Sequence, residues 1–152
     1  MCSHPRRTQV DLGDFSDRLA ASLAWKLRTH AANFAAYSMR AFDLGLFPWH
    51  GYIEPSFLTT ADTCAERQVG DWKLYNFTQT NGWPEVVALG TWMRSFYERD
   101  RIANAELLFG VGARVLNCQD VQRALGMFNL TPSFYVSVFN PDNARSKNYC
   151  SV

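Results

Sequence analysis

The sequence predicts one α+β domain, a mostly antiparallel sheet of three to five strands with helices packed on one face. Three observations point there. Leu19, Leu23 and Leu27 recur every four residues, which is the stripe of an amphipathic helix. Two strand-like runs follow at short separation, within residues 33–57. A last run, Phe134-Tyr135-Val136-Ser137-Val138-Phe139, has the aromatic and β-branched composition of a strand. At 152 residues the chain fits a single domain spanning 1–152, with residues 1–12 and 143–152 as loose ends.

The first helix is expected to begin at Asp14 as N-cap, with Asp17 three residues on as in a capping box. Lys26, Arg28 and His30 fall near its end, where positive charge suits the helix dipole. Residues 33–42 read as a strand, 45–48 as a connection and 49–57 as a second strand, forming an antiparallel hairpin. Residues 59–70 are polar and fit a short helix; residues 72–77 fit a third strand. Asn81-Gly82-Trp83-Pro84 punctuates the chain, and Pro84 suits the first position of a helix carrying Val86, Leu89, Met93, Phe96 and Tyr97. Leu107, Leu108, Val111 and Val115 mark another helix, weakened by Gly110 and Gly112. Asn117 is placed to cap a short helix through Val121 and Leu125, closed by Gly126.

The chain carries 11 Phe, 6 Tyr and 5 Trp, many in loop-like stretches. Large rings anchor cores and interfaces alike. The net charge of +1 supplies no field for a polyanion, so nucleic acid is not an expected partner. No run approaches the length of a membrane span, and the polar stretch after Arg6-Arg7 does not read as a secretory signal. A cytoplasmic location is the expectation, with no membrane partner. Cys2, Cys64, Cys118 and Cys150 are far apart, which fits free thiols rather than a disulfide framework or zinc. His4, His30 and His50 make no ligand pattern, so neither metal nor cofactor is expected.

Motifs of catalysis are missing. The G-x-G of Phe109-Gly110-Val111-Gly112 has Val115 where a dinucleotide fingerprint needs its third glycine, and no P-loop or nucleophile elbow occurs. His50 and Glu54 share a strand face but lie about 13 Å apart along it, too far for a direct pair. The sequence therefore gives no catalytic residues. Its candidate partner-binding residues are the rings Trp49, Trp72 and Trp83, with His50, Glu54, Asp71 and Lys73 beside them. For Trp72 the favoured reading is a ring plugging the edge of the core with its flanking charges solvated, ahead of the anchor reading. The alternative function is a small hydrolase or transferase whose site is assembled from distant residues such as His50 with Cys64 or Asp71. A third is a structural subunit, since aromatic patches also drive self-association and a homodimer.

Several pieces in order carry a resemblance. They are the helix from Phe15 to His30, the strand-like run from Phe34 to Phe42 and Tyr52-Ile53-Glu54-Pro55-Ser56-Phe57-Leu58-Thr59-Thr60. Gly70-Asp71-Trp72-Lys73-Leu74-Tyr75, the helix with Val121 and Leu125, and Phe139-Asn140-Pro141-Asp142 follow. Together they resemble a bacterial family of unknown function, number four-three-zero-three, over most of the chain from Phe15 to Asp142. The resemblance implies a single-domain immunity or accessory protein whose partner is another protein, a toxin. It implies no catalytic residues.

Overall fold

The computed structural model describes residues 5–78 and 82–151, with side chains from Leu12 onward. Cys2, His4 and Asn81 lie outside these residues, as does part of each expected loose end. Among the described residues, four helices and a three-stranded mixed sheet make up the α+β fold.

Helix α1 (Pro5–His30) starts well before the expected Asp14. Proline fits a first helical turn because its missing N–H has no partner there anyway. Asp14 is thus an internal residue, ion-paired with Arg18 one turn on at 3.1 Å. The stripe is as expected: Phe15, Leu19, Leu23 and Leu27 are all buried. They pack α1 against α2 (Pro84–Arg99), α3 (Arg101–Asn117) and α4 (Gln119–Leu125).

A 3₁₀ turn over Ala31–Phe34 prolongs the helical path, so β1 (Met39–Phe47) starts later than its sequence suggests. It then runs on through Asp43 and Gly45. A turn leads to β2 (Tyr52–Thr59), and the two pair antiparallel, Phe42 opposite Phe57 and Gly45 opposite Glu54. The turn closes against α2. Gly51 has φ of 71°, and a Cβ on Gly90 would stand 1.9 Å from the Gly51 carbonyl oxygen. Only two glycines permit that approach.

Residues 72–77 form no strand. They make a single bridge, Phe57 to Leu74, and the left-handed Asn76 (φ 43°) ends any extension. The polar stretch before them holds only a 3₁₀ turn, Val69–Asp71. Helix α2 starts at Pro84 as expected. Helix α3 passes unbroken through Gly110 and Gly112; a Cβ on Gly112 would lie 2.9 Å from Leu46 Cδ1, so this glycine lets the helix sit close on the sheet. Asn117 is the last residue of α3 and does not cap α4; Cys118 holds the cap position, without a side-chain bond. Gly126 ends α4 with a right-handed φ of −62°.

The last strand, β3 (Leu130–Ser137), lies beside β1 and parallel to it, giving the order β2-β1-β3. The sheet is therefore mixed rather than mostly antiparallel. Three helices return the chain to the end where β1 began, which is the long crossover a parallel pair needs. Between Met39 and Ala41 of β1, β3 passes from Leu130 to Tyr135, a wide bulge containing Pro132. Beyond the sheet the C-terminal segment is pinned. Asn148 donates to Val136 O and accepts from the N–H of Val138, as a neighbouring strand would, and Ser146 is buried.

Alternate residues of the sheet belong to two clusters. Phe42, Leu44, Leu46, Ile53, Phe57 and Val138 join the buried helix residues in the large core. Ala41 and Leu58, of the other parity, join Trp72 in a small one.

Candidate functional site

The face carrying Ala41 also carries Asp43, Gly45 and Phe47 of β1, Glu54 and Ser56 of β2, and Ser137 with Phe139 beyond β3. Residues 60–76 fold over part of it. Asp62 holds that loop in place: its carboxylate accepts from the N–H and Oγ1 of Thr59 and from the N–H of Lys73. What the loop leaves open is a cleft of about 460 Å³. Asp43 is at its back, and Gly45 opens its floor because no side chain rises there. Phe47, Glu54 and Tyr75 line one side; Phe139, Asn140 and Arg67 line the other.

Asp43 is the chemical centre of this cleft. It is a carboxyl only 4% exposed, in the middle strand. The register sets Ser56 on one flank and Ser137 on the other. Ser137 Oγ donates to Asp43 Oδ1 at 2.6 Å. Ser56 Oγ is used elsewhere, accepting from the N–H of Asn76. Oδ1 thus has its donor, and none of the described side chains donates to Oδ2. Burial pushes the Asp43 carboxyl up to about 7, against the pull of the Ser137 hydrogen bond and the Arg67 charge. Near neutral pH it can donate or accept.

The rest of the cleft is charged and aromatic. Tyr75 donates its hydroxyl to Glu54. Burial, reinforced by that bond and the Glu54 charge, pushes the phenol up to about 12. The Arg67 guanidinium lies 4.2 Å from the centroid of the Phe139 ring, a cation–π seat. Cys150 stands near enough to feel Asp43, but burial first and that charge second raise its thiol to about 11. Such a thiol is no nucleophile at neutral pH.

Of the residues singled out in the sequence, Glu54 alone lines this cleft. It also lines an adjoining depression with His50, Tyr52, Trp83 and Val87. His50 is exposed on the hairpin turn and stacks on Tyr52 at 5.5 Å. Trp49 beside it is half-buried, edge-on to Phe47 and Tyr97. Asp71 and Lys73 are exposed. Trp72 and Trp83 are 3% and 4% exposed and belong to the core, which is the favoured reading of Trp72 and removes both from the three candidate ring anchors. The depth of the cores at both ends of the 60–83 segment draws these large rings inward.

The distant pairing of His50 with Cys64 or Asp71 shares no cleft: His50 lines the adjoining depression without either, and Cys64 packs beside the Trp72 cluster. The residues the sequence missed are Asp43, Arg67, Tyr75 and Phe139. One signal existed, a lone acid inside the apolar run Ala41-Phe42-Asp43-Leu44. Among the described residues no His, Cys, Asp and Glu side chains group as metal ligands, and no helix is long and apolar enough to cross a membrane. No family model, curated protein or solved structure matches the chain.

Proposed function

We propose that the protein is a non-enzymatic binding domain of the cytoplasm that grips another protein at the cleft backed by Asp43. The observation that carries this reading is a buried carboxyl with one oxygen lacking a donor, facing an open cleft. Oδ2 faces the open cleft, where a donor of an incoming group can reach it in place of water. The fold suits the role, with helices over one face of the sheet and the opposite face left to a loop and the cleft. Glu54 joins the cleft to the exposed Tyr52 and His50, so the surface continues along the hairpin. A continuous, open surface fits a protein better than an enclosed small molecule. The immunity-type role implied by the sequence resemblance, with a toxin as partner, is the form of binding proposed.

A second reading is favoured by one observation. A carboxyl titrating near 7 beside a second carboxylate, Glu54, has the pattern of an acid–base pair. Two variants separate the readings. Asp43→Asn and Tyr52→Ala, each checked for an unchanged circular dichroism spectrum, are compared with the wild type in pull-downs from cells that produce the protein. The binding reading expects one partner to be retained by the wild type and at least tenfold less by both variants. A partner held equally by all three proteins sinks it, and so does substrate turnover lost in Asp43→Asn alone.

A further inference from the structure

We propose that the cleft is a socket for the side-chain ammonium of a partner lysine, held between Asp43 and Glu54 with its alkyl stem along Phe47 and Phe139. The inference rests on the binding reading above and adds the chemistry of the group that is bound.

The geometry points to a compact donor. Asp43 and Gly45 are successive residues on one face of β1, and Glu54 sits opposite Gly45. Asp43 and Glu54 are therefore diagonal neighbours, about 7–8 Å apart at their backbones. Both line the cleft, and the position next to each on this face is a glycine. A side chain at that position would crowd it: a Cβ on Gly45 would lie 3.1 Å from the Phe47 ring and 3.2 Å from the Glu54 carbonyl. One oxygen on each side is already engaged, Asp43 Oδ1 by Ser137 and Glu54 Oε2 by Tyr75. Asp43 Oδ2 and Glu54 Oε1 are left for a guest. An ammonium offers three rotatable donors from a single point and can serve both oxygens.

A guanidinium fits less well. It is planar, needs a wide approach, and its ring seat on Phe139 is already taken by Arg67. An anionic guest would meet both carboxyls. A purely apolar guest would leave Asp43 Oδ2 without a donor.

The probe is Nα-acetyl-lysine methylamide, titrated into isotope-labelled protein and followed by amide chemical shifts. The norleucine analogue, with the same stem and no charge, is the control. The expected result is a saturable shift of the Gly45 and Glu54 amides. Binding should weaken at least tenfold for the norleucine analogue and in Asp43→Asn, and at least threefold in Glu54→Gln, which decides the matter if the buried variant does not fold. Equal binding of norleucine, no effect of the substitutions, or no shift with lysine overturns the proposal. Acetylating the lysines of the captured partner gives a separate arm. A partner still retained after acetylation overturns the lysine assignment and leaves the binding reading intact. Failure to capture any partner bears on the binding reading alone.

Discussion

Trp72 and Trp83 look alike in sequence, each a loop ring next to charge or proline, and the fold buries both. It treats them differently in one atom. Trp83 Nε1 donates to Ser22 Oγ at 2.6 Å, inside the core. Trp72 Nε1 is buried without a hydrogen-bond partner. Replacing each by Phe removes the same atoms, so the difference between the two substitutions isolates the hydrogen bond. Trp83→Phe leaves the buried Ser22 hydroxyl without its donor and should cost about 1–2 kcal/mol more than Trp72→Phe, read from urea denaturation. Equal costs would mean that the Ser22 bond contributes nothing. At this scale the sequence was legible for types and not for depth. A ring in a loop can point either way, and only the position of the loop relative to two cores decides. Asp43 was missed for a related reason. The expected strand stopped at Phe42, one residue short of Asp43, whereas β1 runs on to Phe47.

Elements made from local contacts were legible. The helical stripe of α1, the start of α2 at Pro84 and the β1–β2 hairpin all follow from neighbours in sequence. The β3 pairing was not, because a parallel partner lies about ninety residues away and leaves no local mark. The loop over residues 60–76 belongs to the same class. It has little regular structure, and its place depends on Asp62 reaching back to Thr59 and forward to Lys73. A charged acceptor of three bonds, itself buried, is a strong clasp. Asp62→Ala should therefore lower stability by about 3 kcal/mol and speed hydrogen exchange at the Lys73 amide. It should also loosen Trp72, which a rise in fluorescence quenching by acrylamide would report. A stability loss under about 0.5 kcal/mol would place the loop's anchorage in the Trp72 cluster instead.

Across the whole molecule two buried titratable groups act on stability in opposite directions. His30 is 3% exposed, stacked on Phe34 at 5.6 Å and edge-on to Phe77 at 5.1 Å, with neither ring nitrogen hydrogen-bonded. Burial, helped by the nearby Lys26 charge, holds its pKa below the ordinary 6.5. The unfolded chain therefore takes up a proton that the folded chain refuses, and stability falls as pH drops below 6.5. Asp43 does the reverse. Its folded value of about 7 lies above the ordinary 3.8, so between those values the folded chain holds a proton that the unfolded chain has released. Stability from this group is full below 3.8 and is lost as pH rises through 7. Each slope reaches about 1.4 kcal/mol per pH unit at most. Where the windows overlap just below 6.5, the two slopes oppose each other and flatten the wild-type profile. The opposition is uncovered by removing one member. Asp43→Asn should gain stability as pH rises toward 6.5, through His30. His30→Leu, which keeps the aromatic box filled, should lose stability from pH 5 to 7, through Asp43 alone. Urea midpoints measured across that range check both, and two variants with the same slope as the wild type would remove either group from the balance. The same balance links fold to function. A lysine ammonium seated on Asp43 favours the ionised carboxyl, so binding should release a proton below pH 7 and affinity should rise as pH climbs toward 7.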